Sequence, residues 1–177
     1  MTNYLKLNTL DEQSFIMLFK KIMEAINYLH ENEIVHMDIK LDNIMVDKFR
    51  NPKLIDFGFS IMNKDAKVQL MCGTPSYMSP EILGNNNIIS TQTDIWSAGV
   101  VLYKMLFRKY PFIGVNNKEL YLKIKKASFA FPPLNSGAVP NSNKEQRHLA
   151  ITEPIKNLIS MMLELNPEKR ITAKEVI

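Results

Sequence analysis

A single cysteine, Cys72, stands in the 177 residues of this chain, which excludes an internal disulfide framework, and no Cys/His cluster has the spacing of zinc ligands. Glycine is scarce as well. Its six residues lie far apart, and no glycine-rich phosphate loop can be assembled from them. No apolar run approaches the roughly 20 residues that span a bilayer. The opening Met-Thr-Asn-Tyr-Leu-Lys also lacks the apolar core of a secretory signal. The chain therefore reads as intracellular and cytoplasmic, with no membrane partner. Dense basic runs interleaved with aromatics are absent, and the formal charge of +4 comes from scattered lysines, which read as solvated surface rather than a nucleic-acid-binding face. Repeats and linker-like stretches are missing too. With 46% hydrophobic and 23% charged residues, the sequence suits one sizeable core in a soluble, globular unit.

What is present is mostly helical patterning. A short extended lead-in over residues 4–8 ends at Thr9, which with Glu12 makes a capping box. Phe15, Leu18, Phe19, Ile22, Ile26 and Leu29 then recur at helical spacing, predicting a long amphipathic helix that ends near His30. His30 has no partner at metal-binding spacing and reads as a helix-end residue. A second helix, apolar almost all round through Trp96, Val100, Val101, Leu102, Met105 and Leu106, should be buried. A modest helix around Glu119 follows. Residues 131–152, with Pro132, Pro133, Gly137 and Pro140, then read as a surface loop in which His148 needs no special role. Ile155, Leu158, Ile159 and Met162 mark a helix with Pro154 in its first turn, and Thr172 with Glu175 opens another.

The chemistry concentrates in residues 36–43, His-Met-Asp-Ile-Lys-Leu-Asp-Asn, and in Asp56-Phe57-Gly58. Asp38 can accept a hydroxyl proton, Lys40 can offset charge on a moving phosphoryl group, and Asn43 and Asp56 can offer hard oxygen ligands to magnesium. Residues 43–46 and 53–56 look like two short strands joined by the turn-rich 47–52, which predicts an antiparallel hairpin with Asn43 and Asp56 side by side at its open end. Gly58 is expected to supply backbone freedom after the ligand. A lone Asp-Phe-Gly is weak evidence, and His36 by itself reads as a satisfied core histidine.

In combination, these residues resemble the catalytic loop and metal-binding triplet of eukaryotic protein kinases, with Met37 where the family has arginine. Later stretches fall in the same order. Gly73-Thr74-Pro75-Ser76-Tyr77-Met78-Ser79-Pro80-Glu81 is similar to the end of an activation segment, with Ser79 in place of alanine. Asp94-Ile95-Trp96-Ser97-Ala98-Gly99-Val100 resembles the start of the buried central helix, and Asn166-Pro167-Glu168-Lys169-Arg170 the late arginine motif. Lys40 and Thr74 fit the serine/threonine pattern.

The resemblance implies a mainly α fold with a small β-hairpin, the large C-terminal lobe of a kinase domain over residues 1–177. It also implies transfer of the γ-phosphate of ATP, with magnesium, to serine or threonine of a protein substrate. Asp38 and Lys40 would be catalytic. Lys40, Asn43, Met45 and Asp56 would contact the nucleotide, with Asn43 and Asp56 on the metal and Met45 beneath the adenine. Thr74 would steady Asp38 and Lys40, Asp94 would hold the catalytic loop, and Glu81 would pair with Arg170. Cys72 would be a small semi-buried side chain.

No strand lysine or glycine-rich loop precedes the first helix, so the small N-terminal lobe is expected to be absent, and the stop at Ile177 suggests truncation at both ends, as a fragment or an incomplete gene product. Met45, Leu54 and Phe57 would then form an uncovered apolar face open to a partner protein. The alternative is a non-catalytic, protein-binding lobe. Because residues 61–73 contain no serine, threonine or tyrosine and Met37 cannot receive a phosphate, control by phosphorylation of that segment is not expected.

Overall fold

The computed structural model describes residues 1–2, 12–62, 74–84, 89–132 and 151–177. The Thr9 cap, the lead-in, Cys72 and most of the proposed surface loop, including His148, lie outside these residues. The described part is mainly helical, with two small two-stranded sheets.

Helix α1, Glu12–Glu31, buries Phe15, Leu18, Phe19, Ile22, Met23, Ile26 and Leu29 along one stripe. That stripe faces the central helix α2, Thr91–Phe107, and the short C-terminal helix α5, Ala173–Val176. The all-round apolarity of α2 has the expected consequence, since Ile95, Trp96, Ala98, Val100, Val101 and Met105 have no measurable exposure. A reciprocal box between Ser90 and Thr93 starts this helix, and Arg108, in the left-handed region, ends it. Helix α3 spans Asn117–Lys125, with the Asn116 side chain accepting from the Glu119 amide. Helix α4 spans Glu153–Met162 with Pro154 in its first turn. Gly99 is required where α2 crosses α4, because a Cβ there would lie 2.9 Å from the Met162 Cβ.

Two strands were foreseen and two were not. Strands β2, Ile44–Val46, and β3, Pro52–Leu54, form the expected antiparallel hairpin. Its turn is built on Asp47, whose Oδ1 accepts the amides of Phe49 and Asn51. Strand β1, Ile34–Val35, pairs with β4, Ile61–Met62, across the site, a long-range pairing that no local pattern announces. The expected surface loop is anchored where it can be described. Phe131 packs with Tyr103, Phe107 and Phe129, and Ile151 belongs to the core.

Arg170 joins the C-terminal part to the centre. Its Nη1 and Nη2 donate to the two Glu81 carboxylate oxygens at 2.7 and 2.9 Å, and its remaining donors reach the carbonyls of Gln92, Glu164 and Leu165. The guanidinium also lies 5.1 Å from the Trp96 ring centroid. Because Arg170 is almost fully buried, Glu81→Ala is expected to destabilise the protein by about 3–5 kcal/mol in a urea titration. Ser79 presents the opposite case. Its buried hydroxyl has no hydrogen-bond partner among the described residues, so Ser79→Ala is expected to raise stability by about 1 kcal/mol in the same titration.

Candidate active site

The site begins where β1 delivers the chain into residues 36–43. His36 is buried, as a satisfied core histidine should be. Its Nδ1 accepts the Asp38 amide at 3.3 Å, and its Nε2 lies 3.2 Å from the Ile55 carbonyl, which can only accept. Those partners assign the neutral tautomer with the proton on Nε2. Through this ring, which packs 4.8 Å from the Phe57 ring, the loop is tied to the stretch that carries Asp56.

Asp94, in the first turn of α2, fixes the loop backbone from below. Its Oδ2 accepts the His36 amide at 2.8 Å, and its Oδ1 accepts the Met37 amide at 2.9 Å. His30 adds a third contact, with Nε2 3.0 Å from Asp94 Oδ2. Nothing local to His30 announces this role, because its partner lies 64 positions away. Met37 itself sits at φ 69°. A left-handed conformation costs a residue with a Cβ roughly 1–2 kcal/mol, so the conformation persists only because neighbouring groups hold it.

Asp38 is buried, and its Oδ2 receives Lys40 Nζ at 2.6 Å and Asn43 Nδ2 at 2.9 Å. Lys40 Nζ continues to Thr74 Oγ1 at 3.2 Å, which joins the loop to residues 74–84. Asn43 Nδ2 also donates to the Asp38 carbonyl at 3.0 Å. Both functions of the Asn43 amino group face Asp38, so its amide oxygen is the atom left to meet a cation.

The hairpin brings Asn43 and Asp56 to the same end with a shift of one residue. Ile44 faces Leu54, and the Ile55 amide donates to the Asn43 carbonyl at 3.0 Å. Asn43 is thus opposite Ile55, and Asp56 lies one position past the pairing that the strand pattern predicted. The left-handed backbone also falls on Asp56, with φ 64°, rather than on Gly58. What Gly58 supplies is space, because a Cβ there would lie 3.3 Å from Asp56 Oδ1. Asp56 is exposed, Met45 and Phe57 are exposed at 56% and 47%, and Leu54 is half-buried, so two of the three side chains of the expected apolar face are open. Phe59 is also exposed, at 46%.

Tyr77 closes the side of the site towards α2, with Ser97 Oγ donating to its carbonyl at 2.8 Å. Burial, reinforced by Tyr110, holds the Tyr77 phenol far above the usual tyrosine range, so it remains protonated. No group of three or more His, Cys, Asp or Glu side chains able to hold a metal occurs among the described residues, and no helix there is long and apolar enough to cross a membrane.

This chain belongs to the protein kinase domain family, whose model matches residues 1–177. It is similar to CBL-interacting protein kinase 33 of Oryza sativa subsp. japonica, at 33% identity over 90% of this chain and 32% of that protein. It is similar to NUAK family SNF1-like kinase 1 of Homo sapiens, at 33% identity over 94% of this chain and 23% of that protein. Probable serine/threonine-protein kinase MARK-A of Dictyostelium discoideum is 35% identical over 90% of this chain and 14% of its own length. The chain therefore spans a third or less of the length of these relatives.

His30→Ala removes one donor from a buried carboxylate and is expected to cost about 1.5–3 kcal/mol in a denaturant titration. His30→Gln, which keeps a donor, should recover part of that loss. An unchanged midpoint for His30→Ala would show that the contact contributes nothing.

Proposed function

We propose that residues 1–177 form the large, C-terminal lobe of a serine/threonine protein kinase domain and hold the groups that transfer the γ-phosphate of ATP to a protein hydroxyl. The observation that carries this reading is the triad of Asp38, Lys40 and Asn43, with both cation and amide on one carboxylate oxygen. Asp38 Oδ1 is thereby left to face a substrate hydroxyl. As the hydroxyl oxygen bonds to the γ-phosphorus and the bond to the departing ADP breaks, the hydroxyl proton passes to Asp38. Lys40 keeps a positive charge beside the moving phosphoryl group, and Thr74 limits where that ammonium can go.

The oxygens of Asn43 and Asp56 suit magnesium, which takes one or two protein oxygens and completes its shell with phosphates and water. When bound, the metal supplies charge neutralisation at the phosphates. The exposed Met45 side chain would support the adenine, and the apolar face that it would make with Leu54 and Phe57 is where a second lobe or a partner protein would close over the nucleotide. The same exposed face favours the alternative, a lobe that binds proteins without catalysis.

Asp38→Asn separates the two. In the complete natural polypeptide, supplied with MgATP and a generic protein substrate, the substitution is expected to lower phosphoserine and phosphothreonine formation by about 10²–10⁴-fold. No transfer by the wild-type polypeptide would refute the catalytic reading, and transfer that survives Asp38→Asn would refute the role of Asp38 as base. Residues 1–177 alone, with Met45 and Phe57 uncovered, are expected to bind MgATP only weakly in calorimetry.

A further inference from the structure

The chemistry above leaves one buried feature unused. Met37 is 6% exposed and forms a separate apolar cluster with Val35, Ile82 and Ile89, with Ile61 packed against it. Its members come from β1, the loop, residues 74–84, the stretch entering α2, and β4. Resting on the kinase reading, we infer that Met37 is a positioning residue for phosphoryl transfer, whose buried side chain holds the backbone that presents Asp38 and docks residues 74–84 against it.

The left-handed backbone at Met37 needs restraint on both sides of its Cα. Asp94 supplies one restraint by accepting the Met37 amide at 2.9 Å. That bond fixes the peptide entering Met37, while the peptide leaving it, which leads to Asp38, is held by the longer 3.3 Å bond from the Asp38 amide to His36 Nδ1. The side chain supplies a further restraint on the Cα between them, because its packing among Val35, Ile82 and Ile89 sets the direction of the Cα–Cβ bond.

Among the contacts that join residues 74–84 to the loop, one is polar, with Lys40 Nζ donating to Thr74 Oγ1, and another is apolar, through Ile82 in the Met37 cluster. Between them lies a cavity of about 10 Å³, lined by Met37, Asp38, Thr74, Ile82, Thr93 and Ser97 among others, with room for one water. A shorter side chain at Met37 would enlarge that space and let Asp38 and Thr74 move apart. Leucine, close to methionine in volume, would fill it.

The test uses the complete natural polypeptide with Met37→Ala and Met37→Leu, read by amide hydrogen exchange and by steady-state kinetics. Met37→Ala is expected to speed exchange at His36, Met37 and Asp38 by about tenfold or more and to lower kcat by a similar factor, with the KM for ATP little changed. Met37→Leu should return both towards wild type. The effects of Met37→Ala and Ile82→Ala should fall short of additivity, because they remove one shared contact. If Met37→Ala does not fold, Ile61→Ala, at the edge of the cluster, gives the same exchange readout. Wild-type exchange and kcat in Met37→Ala would overturn the inference. Absence of transfer by the wild-type polypeptide would sink the kinase reading alone, since exchange rates decide the loop-holding role without reference to activity.

Discussion

The carboxylate of Asp94 is the contact on which the site depends. It is 1% exposed and accepts from two consecutive backbone amides of the loop and from the His30 ring. A buried carboxylate is stable only when its oxygens are satisfied, and two adjacent loop amides are left without partners unless an acceptor is brought to them. Each side meets the other's need. The contact therefore fixes where residues 36–43 lie relative to α2, and so where Asp38 points.

The start of α2 performs this service for other parts of the chain as well. Thr93 Oγ1 lies 3.4 Å from Glu81 Oε1, Ser97 Oγ donates to the Tyr77 carbonyl, and the Gln92 carbonyl accepts from Arg170. The Gln92 side chain donates in turn to the carbonyls of Pro167 and Arg170. Loop, segment and C-terminal motif thus converge on two turns of one helix whose middle is buried in the core. Such a helix cannot shift without disturbing all three, which suits it to hold catalytic groups at fixed distances.

Much of this was legible in the sequence, for identifiable reasons. Helices α1, α2 and α4 carry apolar stripes several turns long, and the Thr172 and Glu175 pair closes into the expected box. The hairpin was legible in outline, because turn residues separate two apolar runs. Its register was not, since a shift of one residue leaves the same runs paired and is decided by the Asp47 turn. Contacts between distant residues were legible only through family resemblance, as with Glu81 and Arg170. Where resemblance was silent, as for His30 with Asp94 or β1 with β4, nothing local pointed to them. Met37 was read as the loss of a charge, whereas the structure gives it a place in an apolar cluster. The left-handed backbone at Asp56 was equally hidden, because the neighbouring Gly58 offered the more permissive residue.

The most direct test of this account is the amide NMR spectrum of the complete protein with Asp94→Asn. The asparagine side chain keeps one acceptor oxygen and replaces the other with a donor, so it cannot receive the two loop amides on separate oxygens as the carboxylate does. If Asp94 holds the loop, the His36 and Met37 amide protons, held at 2.8 and 2.9 Å by a carboxylate in the wild type, move upfield while the amides in the middle of α2 stay in place. Resonances of His36 and Met37 that do not move would contradict it.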